Sequence, residues 1–176
     1  IDQKAFYYLQ QVESGNTEMV QKFKEITDIC VERQLQIFDT LDIHFDVFTH
    51  ESDFVYNNYL DNILKRLDKT GRLHEDELGR LYVDLSGYDI PTREPVLVLT
   101  RSNKTSLYPM RDIAYTIQKI ELNPKNNFIV LGEDQEVYMK QISAVLDILG
   151  YKAPKLISYS YVLLDGDKMS TSAGTV

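Results

Sequence analysis

Between residues 128 and 164 the apolar residues change period twice, and few folds accommodate that order. FIVLG at 128–132 and LISYSYVLL at 156–164 are short apolar runs, and between them Tyr138, Ile142, Val145 and Leu149 recur at intervals of four, three and four. The outer runs have the length and composition of buried strands, and the middle has the period of one helix face. Two strands joined through a helix cannot form a hairpin, so they are expected to pair in parallel through a right-handed crossover. Another helix is predicted ahead of them, over residues 112 to about 121. The fold class is therefore α/β. Ligands of such sheets bind beyond the carboxyl ends of the strands. Gly132-Glu133-Asp134-Gln135 follows one such end. Residues 168–174 follow the other, as an exposed loop beyond the turn Asp165-Gly166-Asp167. The two segments are expected to lie side by side.

The preceding residues read differently. From residue 17 to about 41, Phe23, Ile26, Cys30, Ile37 and Leu41 mark one face of a helix, with Asn16 as its cap and Cys30 as a core residue of that face. Ser52 and Asp53 are a capping pair for a second helix carrying Tyr56, Tyr59 or Leu60, Ile63 and Leu67, which Gly71 stops. RLYVDL and VLVLT, separated by the Pro91 to Pro95 punctuation, alternate with period two and predict a small antiparallel patch, followed by the polar turn RSNKTS. The chain divides into residues 1–95, helical with short β segments, and residues 96–176, which hold the crossover unit.

Bulk properties narrow the function. A chain of 176 residues with 43% apolar content supports a real core, while a formal charge of -8 and a pI near 4.9 exclude a broad basic face for nucleic acid. Cys30 is the single cysteine, so an internal disulfide and a multi-cysteine metal site are excluded, and the setting fits a reducing cytoplasm. His44, His50 and His74 lack metal-ligand spacing. No apolar run reaches membrane length, and no signal pattern opens the chain. With no initiator Met, the chain is expected to be a processed or an excised piece of a longer protein.

Three short constellations carry the chemistry. In Tyr108-Pro-Met-Arg-Asp112, Asp112 is read as opening a helix, either as a simple N-terminal cap or as a carboxylate that pairs with a cation such as a guanidinium, with Tyr108 as a flat wall or hydroxyl. In Gly132-Glu-Asp-Gln135, the glycine admits a ligand to the backbone, Asp134 can accept from sugar hydroxyls or cap the next helix, and Gln135 donates and accepts. In Lys168-Met-Ser-Thr-Ser172, a compact positive charge with hydroxyls and amides suits phosphate oxygens, although a solvated loop would read the same way.

Together these resemble the second half of the Rossmann-like nucleotide-binding catalytic domain of class I aminoacyl-tRNA synthetases, and within that class the arginyl-tRNA synthetases. The Lys168 loop is similar to the Lys-Met-Ser-Lys-Ser signature, Tyr108-Pro-Met-Arg-Asp-Ile-Ala114 to a Tyr-Leu-Thr-Arg-Asp-Ile-Ala stretch, and the Gln135 segment to a Gly-x-Asp-Gln turn. ESGNTE, FDVFTHES and ILGY add weaker similarity, so the likeness runs through nearly the whole chain. It implies a helical connecting insertion ahead of the catalytic half, and an ATP-dependent activation of L-arginine to arginyl-adenylate followed by transfer to tRNA(Arg). It assigns Tyr108, Asp112 and Gln135 to arginine. It assigns Gly132, Asp134, Val162, Leu163, Lys168, Met169 and Ser170 to ATP, with Lys168 and Ser170 on the triphosphate and Mg2+ as helper.

The departures are Thr171 for the second signature lysine, Ser172 for the arginine that commonly follows, Met110 for a threonine, and no His-x-Gly-His sequence anywhere. A chain of this kind is expected to be inactive alone and to self-associate over the apolar edge its missing half would cover. The alternatives are a class I synthetase of other specificity and a non-catalytic nucleotide-binding or interaction module.

Overall fold

The computed structural model describes residues 2–50, 54, 59–122, 125–161, 163–164 and 167–168. Helix α1 (Asp2–Glu13) turns through Gly15, whose φ of 79° suits glycine, into α2 (Thr17–Thr40). The Asn16 side chain accepts from the Met19 amide at 3.1 Å, the cap that the sequence predicts. The apolar stripe of α2 does not do what its period predicts. No residue of the helix is buried, Ile26 and Ile37 are about 60% exposed, and Cys30 is exposed too. A 3.6-residue period reports that one face is apolar, but it does not report a neighbour to cover that face, and α2 packs against α1 rather than into the core.

The core begins at Phe54 and α3 (Tyr59–Asp68), where Ile63 and Leu67 are buried. The predicted cap at Ser52 and Asp53, and Tyr56, lie outside the described residues. Gly71, at φ 71°, ends the helical run by donating to the Asp68 carbonyl at 3.0 Å. Next come β1 (Leu73–Glu75), β2 (Leu81–Asp84) and β3 (Val96–Val98), an antiparallel sheet in the order β1-β2-β3. The last two are the predicted period-two strands, and they pair across residue 95, with Val83 opposite Leu97. After β3 the predicted turn closes through an Arg101 amide to Thr105 carbonyl bond of 2.9 Å. The chain then folds back so that the Leu107 amide donates to the Leu99 carbonyl at 2.8 Å.

That return sets the start of α4 (Tyr108–Leu122), one turn earlier than predicted. Pro109 in its first turn has the backbone angle a helix needs, and lacks only an amide that would have no helical partner there. Asp112 therefore sits inside the helix, one turn beyond Tyr108, and is not its cap. Met110, Ile113, Ala114 and Ile117 of α4 are buried against α3 and α5.

Strand β4 (Phe128–Gly132), a single 3-10 turn (Glu133–Gln135), α5 (Glu136–Ile148) and β5 (Lys155–Tyr159) form the predicted crossover. The strands pair in parallel from Phe128 opposite Lys155 to Gly132 opposite Tyr159. Two details differ from expectation. Among the described residues the strands are covered on one side only: Ile129, Leu131 and Leu156 pack on the core, whereas Phe128, Val130, Ile157 and Tyr159 are each about half exposed or more. The last strand also stops at Tyr159, and β6 (Leu163–Leu164) pairs with β7 (Asp167–Lys168) in a separate antiparallel hairpin. Lys168 thus has a strand backbone where a loop was expected. No described helix is long and apolar enough to cross a membrane.

Burial separates two leucine-sized tests. Leu146 of α5 is fully buried, so Leu146→Ala is expected to cost about 2 to 5 kcal/mol of unfolding free energy. Ile26→Ala on the uncovered face of α2 is expected to change it by less than about 0.5 kcal/mol. Chemical denaturation of the two variants checks the contrast.

Candidate functional site

Because α4 starts at Tyr108, the side chains of Tyr108, Asp112, Tyr115, Thr116 and Lys119 fall three or four residues apart along one face. That face looks across a cavity of about 250 Å³ toward Ile129 and Leu131 of β4, and toward Gln135, Tyr138, Met139 and Ile142 at the start of α5. The structure therefore brings together Tyr108, Asp112 and Gln135, the three residues that the sequence analysis assigns to one ligand. Asp112 is half-buried and accepts a hydrogen bond from the Tyr138 hydroxyl. The Tyr108 and Tyr138 rings lie 5.1 Å apart at an angle of 46°. Tyr108 is 55% exposed, so it forms the outer lip and Asp112 lies deeper.

Deeper along α4, the Lys119 ammonium lies 4.4 Å from the centre of the Tyr115 ring. Burial pushes the Lys119 pKa below its ordinary 10.5, against the opposing pull of the Asp112 carboxylate. The cavity thus holds one carboxylate and one ammonium among largely apolar walls, where charges interact more strongly than in water.

At the carboxyl end of β4, Gln135 donates from Nε2 to Asp134 Oδ2 at 2.8 Å. Asp134 is exposed and makes no capping bond, either to the 3-10 turn or to α5. A Cβ on Gly132 would fall 2.6 Å from Asp134 Oδ1, so glycine there leaves the Asp134 carboxylate its position. The Ser160 hydroxyl donates to Glu133 Oε2 at 2.9 Å and ties the ends of β4 and β5 together. Leu163 is exposed on β6, and Lys168 is placed by its backbone alone. Val162, Met169 and Ser170, with Thr171 and Ser172, lie outside the described residues. Among the described residues no three His, Cys, Asp or Glu side chains converge as a metal site.

Tyr115, Lys119 and Tyr138 also line the cavity, and no motif in the sequence marks them as ligand-binding. Starting α4 at Tyr108 would have exposed the first two, and Tyr138 stands one helical turn after Gln135. A larger cleft of about 500 Å³ lies near Ile90, Met139, Pro154 and Leu156. It contains none of the residues singled out by sequence, and size alone does not make it the site.

Comparisons with known proteins identify the family. The family model described as tRNA synthetases class I (R), catalytic domain, matches residues 1–176. Arginine–tRNA ligase of Methanococcus maripaludis is 38% identical over 168 residues, covering 95% of this chain and 29% of that protein. The corresponding ligase of Methanothermobacter thermautotrophicus is 34% identical over 168 residues, 94% of this chain and 28% of that protein. Among solved structures, Thermus thermophilus arginyl-tRNA synthetase superposes with a TM-score of 0.70 at 22% identity, covering 89% of this chain and 32% of that one. This last likeness establishes the fold. The chain spans less than a third of the length of each of these relatives.

The depressed Lys119 pKa has a consequence for stability. Between the folded pKa and the ordinary 10.5 the unfolded chain binds more protons than the folded one, so this residue makes stability rise as pH approaches 10.5 from below. Lys119→Met is expected to be more stable than the parent at neutral pH and to lose that advantage as pH rises through this window. Urea unfolding of both proteins across the alkaline range measures it.

Proposed function

The chain belongs to the class I (R) tRNA synthetase catalytic-domain family, and we propose that it is part of an arginine–tRNA ligase. Family membership implies ATP as a substrate. In the proposed reaction an oxygen of the L-arginine carboxylate attacks the α-phosphorus of ATP, giving arginyl-adenylate as pyrophosphate leaves. A hydroxyl of the terminal ribose of tRNA(Arg) then attacks the activated carbonyl, and AMP leaves. Neither step needs a covalent side-chain intermediate. Rate comes from aligning the reactants and from positive groups that meet charge developing on the phosphates.

The observation that carries this reading is the half-buried Asp112 carboxylate beside Tyr108 and Gln135 in one largely apolar cavity. A guanidinium is planar, permanently charged and weakly hydrated, and it forks onto a carboxylate through two hydrogen bonds. Those properties favour arginine over the substrate of another class I enzyme. The intact set of three also disfavours a module that has kept the fold and lost its ligand.

For ATP, the reading assigns Gly132 and Asp134 to the ribose side, Val162 and Leu163 to adenine, and Lys168, Met169 and Ser170 to the triphosphate. The glycine that leaves room for the Asp134 carboxylate supports the first of these. Mg2+ would serve as the counter-ion of the ATP phosphates. Residues 1–95 are proposed as the connecting insertion and 96–176 as the second half of the nucleotide fold. The setting is proposed to be cytoplasmic. Without a His-x-Gly-His sequence, these 176 residues are expected not to aminoacylate alone.

In the full-length protein, Asp112→Asn is expected to weaken arginine recognition by about 2 to 5 kcal/mol, because it removes the charged partner of a desolvated cation. Arginine-dependent ATP–pyrophosphate exchange, run with tRNA present, measures this, and an unchanged apparent arginine affinity contradicts the assignment. The uncovered face of β4 and β5 supports self-association of the 176-residue chain. Sedimentation is expected to show concentration-dependent association that Ile157→Lys abolishes.

A further inference from the structure

We propose that Tyr138 is a positioning residue for substrate recognition: its hydroxyl sets the plane of the Asp112 carboxylate while its ring braces Tyr108. The inference rests on the arginine reading of the cavity and adds a residue to it. Tyr138 comes from α5, whereas Asp112 and Tyr108 come from α4, so its two contacts connect the facing helices across the ligand space. It stands three residues after Gln135, which brings both side chains to the same cavity at the start of α5. Met139 and Ile142 of the same helix are buried in the core, which anchors the backbone that carries the phenol.

The physical need for such a residue follows from the ligand. The last torsion of an aspartate side chain is broad and weakly held, so the plane of its carboxylate is set by whatever bonds it. An ammonium presents three rotatable donors and is indifferent to that plane. A guanidinium presents a rigid fork and binds through both arms only when the planes match. A phenol that donates to Asp112 Oδ2 selects one plane before the ligand arrives, and the same phenyl ring limits where Tyr108 can lie. Tyr138 thereby favours a planar cation over a point charge of the same sign.

The test uses the full-length protein with Tyr138→Phe, which keeps the ring against Tyr108 and removes only the hydroxyl. The KM for arginine in tRNA-supported pyrophosphate exchange is expected to rise about tenfold, the usual scale for losing a hydrogen bond to a charged group, while kcat and the KM for ATP stay within about twofold. Equilibrium binding of agmatine, a guanidinium without the carboxylate, is expected to weaken by the same factor and needs no turnover. On an Asp112→Asn background the substitution is expected to add nothing further.

If Tyr138→Phe leaves arginine KM and agmatine binding unchanged while Asp112→Asn weakens both, the Tyr138 inference fails and the arginine reading survives. If neither variant changes them, both fall. If Tyr138→Phe lowers kcat, ATP affinity and melting temperature together, its role is structural and the inference is overturned.

Discussion

The position of Asp112 one helical turn beyond Tyr108 determines the chemistry open to this chain. Had α4 begun at Asp112, the carboxylate would have been spent on backbone amides at the helix end and Tyr108 would have lain on the preceding turn. With Pro109 in the first turn, both side chains instead project from one face, and the cavity between α4 and β4 gains a carboxylate and an aromatic lip. The hairpin turn before α4 makes this possible, because the Leu107 to Leu99 bond delivers the chain to the helix start at a fixed point. The buried side chains of α4 then hold its other face against α3 and α5.

The cavity works by contrast with its surroundings. The chain as a whole is acidic and has no broad basic surface, yet within this space a single carboxylate is half-buried and bonded by a phenol. Low polarity strengthens the attraction of such a carboxylate for a cation, and the hydrogen bond from the Tyr138 hydroxyl orients it. Lys119, lower on the same face, adds a positive charge that burial disfavours and Asp112 partly compensates. On the proposed reading, a ligand cation paired with Asp112 would share the cavity with this second positive charge.

Much of this was legible in the sequence because it is written in local periods and turn chemistry. The parallel crossover of β4 and β5, the Asn16 cap, the antiparallel pairing of β2 with β3, and the stop at Gly71 all follow from patterns within a few residues. What depended on distant partners was not legible. The apolar faces of α2 and of β4 read as core, yet they are exposed, since no pattern along the chain reports whether another element arrives to cover them. Reading Asp112 as the opening of α4 places its start one turn late, and Pro109, a residue that favours the first helical turn, marks the true start. Tyr138 was assigned to an apolar stripe, which its ring satisfies, while its hydroxyl serves the cavity. An amphipathic side chain can do both, and periodicity records only the first.

The decisive measurement is a crystal structure of the full-length protein with L-arginine bound. The guanidinium is expected to lie in the cavity between the Tyr108 and Tyr138 rings, forked onto the Asp112 carboxylate, with Gln135 within hydrogen-bonding reach of the amino acid. An arginine held elsewhere, with the Asp112 cavity empty, would contradict the assignment.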